Sequence, residues 1–223
     1  EQWKTSNRKE VSANIAHRNS RRLSARDQKV LQSIVGEQMK ALGYSLDIEA
    51  DQHSDEPRQS VVVFSHIPSH PCTHGNSKRV HAVCQNFKDL GYRVSFFYYL
   101  VHPNLTVDYE GMLDAWDDVR VHSRGMPMPV SKDGYFGIDD ACEKGLSECF
   151  AAYCEERNAQ IALVNYVFYS GVFSLLPPNV LRILDTHDRF ANRHLKLKAA
   201  GVPADLWWYS FKPADEGVGL SRA

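Results

Sequence analysis

Arg182-Ile-Leu-Asp-Thr-His-Asp-Arg-Phe-Ala-Asn-Arg193 is the stretch on which the fold turns. An apolar run, Val180 to Leu184, ends abruptly in Asp185, His187 and Asp188. It reads as a strand that delivers a polar cluster at its carboxyl end. Open α/β sheets collect ligands at that edge, and titratable groups gathered there are candidates for chemistry rather than packing. If the strand reaches far enough, alternation puts Asp185 and His187 on one side of it.

Upstream, the same kind of signal repeats. Val61-Val62-Val63-Phe64 is a continuous apolar run, as expected of a strand buried on both faces. A loop with Pro68, Pro71 and Gly75 follows, then Val80, Val83, Phe87 and Leu90 at helical spacing up to Gly91. Arg93 to Val101 is the next strand, so residues 60 to 101 form a strand–helix–strand unit. Met112 to Trp116 reads as a short helix and Val119 to Val121 as a short strand. After a Gly/Pro loop over residues 125 to 137, Asp139 or Asp140 can cap a helix reaching about Arg157. Its expected inner face carries Cys142, Leu146, Cys149, Phe150 and Tyr153. Ile161 to Val164 is a further buried strand, and Tyr166 to Leu176 opens a helix broken by Pro177-Pro178. Phe190 to Ala200 is expected to be helical. Strands alternating with helices predict an α/β fold, a Rossmann-like, doubly wound and mostly parallel sheet.

Ahead of this block, residues 1 to 23 are basic and irregular. Ser24 starts a helix with Val30, Leu31, Ile34, Val35, Met39 and Leu42 on one face, stopped by Gly43. The expected organisation is therefore a helical tail over residues 1 to 46, an acidic linker over 47 to 59, and the α/β domain over 60 to 223. The opening Glu-Gln-Trp-Lys-Thr-Ser is polar and lacks an initiator Met, which reads as a piece of a longer polypeptide rather than a secretory leader.

Composition narrows the function. The 223 residues are 43% hydrophobic, enough for a real core. A net charge of -1 argues against a nucleic-acid binder. No apolar run approaches the roughly 20 residues that span a bilayer. Five scattered cysteines, an odd number without a CxxC pair, point to reduced thiols and a cytoplasmic compartment.

Several constellations could carry chemistry. The loop from His66 to Gly75 runs into a helix at Asn76, and a helix amino end with a glycine suits a phosphate. It is not a GxGxxG fingerprint, and a turn glycine without a ligand is the alternative. Arg79 lies four residues beyond Gly75, placed either to reach an anion or to serve as an exposed helix cation. At the other end, Asp185, His187 and Asp188 offer a hydrogen-bonding or proton-accepting imidazole. Three groups within four residues make a poor metal cage, and no metal is assigned. His66, His70, His74 and His81 crowd one region, but without HExxH or CxxC spacing they read as solvated loop histidines. Arg189, Arg193, Lys196 and Lys198, with Leu195 and Leu197 between, form either a weak membrane-surface contact or a solvated helix face.

Taken in order, these pieces resemble a known arrangement. Pro71, Gly75 and Arg79, then Leu90-Gly91-Tyr92-Arg93-Val94, Asn165-Tyr166, Asp185 to Asp188, and Glu216 to Ala223 resemble the amino-terminal Rossmann-like domain of GT-B glycosyltransferases, especially the retaining family 4. The resemblance covers about residues 60 to 223. It implies transfer of a sugar from a nucleotide-sugar donor to a glycan or other acceptor hydroxyl, as in polysaccharide biosynthesis, with retention and without a cofactor or essential metal. It also implies that Gly75, with Asn76 and Arg79, meets the donor phosphates. His187 lies near the donor sugar, with Asp188, Asn165, Tyr166 and Asp185 lining the cleft. The segment stops at Arg222-Ala223, ahead of the second domain this family requires in cis, so it is expected to be inactive alone. Residues 1 to 46 are similar to the end of bacterial sulfotransferase domains, through Arg21-Arg22-Leu23-Ser24, Ile34-Val35-Gly36 and Leu42-Gly43-Tyr44. Two alternatives stand beside the transferase: a non-catalytic Rossmann-like binding module, and a fragment of a bifunctional sulfotransferase–glycosyltransferase.

Overall fold

Five short apolar segments pair into one parallel sheet. They are β1 (Ser60–Ser65), β2 (Arg93–Leu100), β3 (Asp118–Ser123), β4 (Ile161–Asn165) and β5 (Leu181–Asp185). The computed structural model describes residues 58–204 and 207–223. The helix expected from Ser24, the sulfotransferase-like stretch and most of the linker lie outside the described residues. The strand order is β3-β2-β1-β4-β5, and every pairing is parallel. The order reverses between β1 and β4, which is where open sheets of this kind form a ligand crevice.

Alternation along β1 builds two cores. Val61 and Val63 face one side with Val94, Phe96 and Tyr98, under Val80 and Cys84 of α1 (Gly75–Asp89) and Met112 of α2 (Tyr109–Ala115). Val62 and Phe64 face the other side with Phe97 and Tyr99, under Leu146, Phe150 and Tyr153 of α3 (Leu146–Glu156). That second core also takes the 3-10 helix Val167–Leu175. Nine residues exceed the usual 3-10 length. Burial of Val167, Phe168, Tyr169, Val172 and Phe173 holds it, so tertiary packing replaces the α-helix expected there.

Two other boundaries differ from expectation. The helix expected from Asp139 starts only at Leu146, because Gly145 takes a left-handed φ of 86°. Asp140 instead accepts the Gly137 N–H at 2.6 Å, and Asp139 pairs with Arg222 at 2.5 and 2.8 Å. Cys142 therefore lies in a turn and Cys149 is exposed, neither on an inner helix face. The helix expected from Phe190 begins at Arg193, as α4 (Arg193–Ala199). Asn192 takes a left-handed φ of 55°, and Ala191 bridges to Phe211 with backbone hydrogen bonds on either side, so the stretch before α4 is extended. The Glu216 carboxylate accepts from the N–H groups of Phe190 and Ala191 at 2.6 and 3.1 Å. Glu216 belongs to α5 (Pro213–Leu220), which the sequence reading missed. Its signal was present: a proline in the first turn with Asp215 and Glu216 beside it. Among the described residues, no helix is long and apolar enough to cross a membrane.

Phe64 is fully buried, with ring centroids 5.2 to 5.8 Å from those of Phe97, Tyr99, Phe150 and Tyr169. Phe64→Ala is expected to cost about 3–5 kcal/mol. Denaturant titration should show a lower midpoint at an unchanged slope.

Candidate functional site

The site is built where β4 and β5 end. Asn165, the last residue of β4, is 2% exposed and lies in register with Asp185, the last of β5. Its amide nitrogen donates to the Phe64 carbonyl of β1 at 3.2 Å. That bond fixes which end of the carboxamide is oxygen, and the oxygen faces His187 Nε2 at 2.8 Å. Nε2 must therefore carry the proton. In the neutral ring, Nδ1 is left as the acceptor.

The Asp185 carboxylate receives Arg79 in a two-pronged pair, Nε to Oδ2 at 2.9 Å and Nη2 to Oδ1 at 2.6 Å. Its Oδ2 also lies 3.3 Å from His187 Nε2. Burial works against this carboxylate's charge, but the Arg79 hydrogen bond and the charges of His187 and Arg79 outweigh it, and its pKa falls below the ordinary value. Burial is the largest influence on the His187 imidazole and lowers its pKa; Arg79 adds to this, Asp185 and Asp188 oppose it, and the net direction is down. The site therefore holds an ionised acid and a neutral imidazole near neutral pH.

Backbone conformation marks the same place. Tyr166 has φ 72° and His187 φ 57°, both in the region that side chains disfavour. Such residues cost on the order of 1–3 kcal/mol each and cluster at functional sites. The Tyr166 N–H donates to the Asp185 carbonyl at 2.8 Å, and the Tyr166 ring stacks on His187 with centroids 4.3 Å apart. The His187 side chain is only 3% exposed, sheltered among polar partners rather than in an oily interior.

Sequence reasoning named most of these residues, and the structure brings Asn165, Tyr166, Asp185, His187 and Arg79 together. Arg79 is the link to the glycine loop, since it projects from the first turns of α1. Gly75 and Asn76 open that helix and are exposed. A Cβ on Gly75 would meet nothing within 4 Å, so the chain's own packing does not demand glycine there. Asp188 is turned outward and pairs with Arg193 at 3.0 Å, its side chain 55% exposed.

The histidine reading needs correction. His74 is exposed as expected, but His66 is buried, and His70 and His81 are half-buried with their rings in contact. His66 was not anticipated as a site residue. It stands one residue past β1, its ring 4.9 Å from that of Tyr166. Its position at the end of the central apolar run was the available signal. Burial, aided by the charges of His102 and His187, pushes its imidazole down to about 3. Its Nδ1 has no hydrogen-bond partner among the described residues. The basic run is also less free than expected: Arg193 holds Asp188 and lies over the Phe190 ring.

No protein-family model matches the chain, and no curated protein matches it. Among solved structures, sucrose-phosphate synthase from Thermosynechococcus elongatus is similar to 63% of this chain, at 15% identity and a TM-score of 0.37. The match spans 35% of that chain.

His66 makes stability depend on pH. An unfolded histidine takes up its proton near 6.5, whereas the folded one does so only near 3. Between those values the unfolded chain binds more protons, so stability falls as pH drops through that window. Measured against His66→Phe, the native protein should lose stability more steeply with acidification from pH 6.5 to 3, by up to one proton's slope. Equal slopes would show that His66 does not stay neutral when folded.

Proposed function

We propose that residues 60 to 223 form the acceptor-side, amino-terminal half of a retaining GT-B glycosyltransferase. In this reading a second Rossmann-like domain closes over the crevice and supplies most of the nucleotide contacts. The observation that carries the proposal is the convergence, at the sheet's switch point, of the Asn165–His187–Asp185–Arg79 array with the open start of α1. The motif resemblance over the same residues supplies the reaction class.

Each group then has a task. The first amides of α1 lack intrahelical acceptors and suit the donor's phosphates. The absent Cβ at Gly75 leaves room for them. Neutral His187, its proton committed to Asn165, offers Nδ1 as an acceptor for a sugar hydroxyl. Asp185 is ionised and already paired, so it is a poor general acid or base. That fits a reaction in which the departing phosphate takes the acceptor's proton and the protein's work is electrostatic. No cofactor or metal is invoked; the partners are a nucleotide-sugar and a hydroxyl acceptor, in the cytoplasm.

The test is sugar transfer or donor hydrolysis across a panel of nucleotide-sugars, using a polypeptide that also carries the second domain. His187→Ala should lower kcat/KM by about 100-fold, in line with loss of one positioned electrostatic contact. Nucleotide binding without turnover, unchanged in that variant, would instead establish a non-catalytic binding module. Gly75→Ala separates ligand contact from folding. Its melting temperature should stay within about 2 °C of the parent's, since nothing crowds the new methyl. Its donor KM should rise at least roughly tenfold if phosphates approach this backbone closely.

A further inference from the structure

The loop after β1 and helix α1 carry a donor set that the glycosyltransferase reading does not use. His70 and Cys72 sit in the loop after β1, and His81 lies on α1. One ligand atom from each lies within 4.8 Å of the other two. The His70 and His81 rings meet with centroids 4.9 Å apart, and both pack against Trp116, at 5.8 and 5.4 Å. All three residues are half-buried, accessible to solvent yet held by neighbours.

The surroundings are ordered as those of metal-binding histidines are. Trp116 Nε1 donates to Ser69 Oγ at 2.8 Å, and that hydroxyl lies 3.1 Å from His70 Nδ1. Ser69 is fully buried, so the pair of contacts is fixed. A serine oxygen has two lone pairs. It can accept both the indole N–H and the Nδ1–H, which leaves His70 Nε2 with the bare lone pair. Neither Nε2 of His70 nor either nitrogen of His81 is hydrogen-bonded among the described residues. The Cys72 thiol is anchored too, donating to the Ser69 carbonyl at 3.2 Å.

We propose that His70, Cys72 and His81 bind one Zn2+ ion. Two imidazoles and a thiolate are a borderline-soft set suited to zinc and poorly suited to magnesium or calcium. Zinc bonds of about 2.0–2.3 Å imply ligand atoms about 3.5 Å apart, so side-chain rotations of about an ångström close the site. Three protein ligands leave the fourth tetrahedral position to solvent or an incoming group. On binding, the Cys72 S–H bond breaks, its proton passes to solvent, and the sulfur's electron pair forms the Zn–S bond. The spacing, His-x-Cys followed nine residues later by His, is neither HExxH nor CxxC, so neither of those motifs records it.

The test uses the full chain, reduced and stripped with chelator, and titrated with Co2+ as a spectroscopic probe. One equivalent should produce a near-ultraviolet thiolate-to-cobalt charge-transfer band, removed by Zn2+ but not by Mg2+. Cys72→Ser should abolish the band and weaken Zn2+ binding, measured against a chromophoric chelator, by at least tenfold. His81→Ala should weaken it similarly. Cys72→His, which keeps a ligand but removes the sulfur, should retain cobalt binding without the band. Should a variant fail to fold, the native protein still decides. Zn2+ should slow alkylation of Cys72 at least tenfold while leaving the exposed Cys149 unchanged, read by peptide mass. Absence of the band, equal protection of both cysteines, or binding indifferent to Cys72→Ser and His81→Ala would overturn the proposal.

Discussion

The carboxamide of Asn165 is the contact to which the rest of the site is referred. It spans from the central strand to the turn after β5, donating to Phe64 and facing His187 with its oxygen. Because the Phe64 carbonyl can only accept, the amide has one workable orientation, and that orientation decides where the imidazole keeps its proton. A carboxylate in the same place would set an acceptor against an acceptor. Sheet geometry thus dictates a protonation state: the strand pairing places Asn165, Asn165 orients the ring, and the ring presents Nδ1.

Charge is managed by the same packing. Tyr166 contacts two histidine rings, His66 edge-on at 4.9 Å and His187 stacked at 4.3 Å. Both imidazoles are pushed toward the neutral form, first by burial, and the charges of His102 and His187 add to the lowering at His66. The ionic groups close to them pair off, Arg79 with Asp185 and Arg193 with Asp188.

The central strands were legible because they are buried on both faces: Val61 to Phe64 and Ile161 to Val164 leave an unbroken apolar signature. Boundaries failed where residues far away in sequence hold the chain. Phe211 pairs with the backbone at Phe190 to Asn192 and holds it extended, and Arg222 takes the Asp139 carboxylate expected to cap α3. No local pattern records such a capture. At the site, Asp185 and His187 were visible as the polar ending of an apolar run, and Asn165 and Tyr166 through the motif resemblance. Asp188 belongs to the same run of residues, yet the turn at His187 swings it outward. His66 was hidden by its neighbours, since three further histidines close by made the whole group look like loop. What separates them is three-dimensional: one sits under Tyr166, two against Trp116, and one in solvent.

The Arg79–Asp185 pair sets a condition on any anion that enters. The guanidinium already holds a carboxylate, tethered by the fold and so present at a high effective concentration. Free monoanions such as acetate or chloride compete poorly against a captive of equal charge. A doubly charged group does better, because it offers two charges for the one it displaces. Under the proposed function, Asp185 is the resident counter-ion that a donor phosphate would have to displace from Arg79.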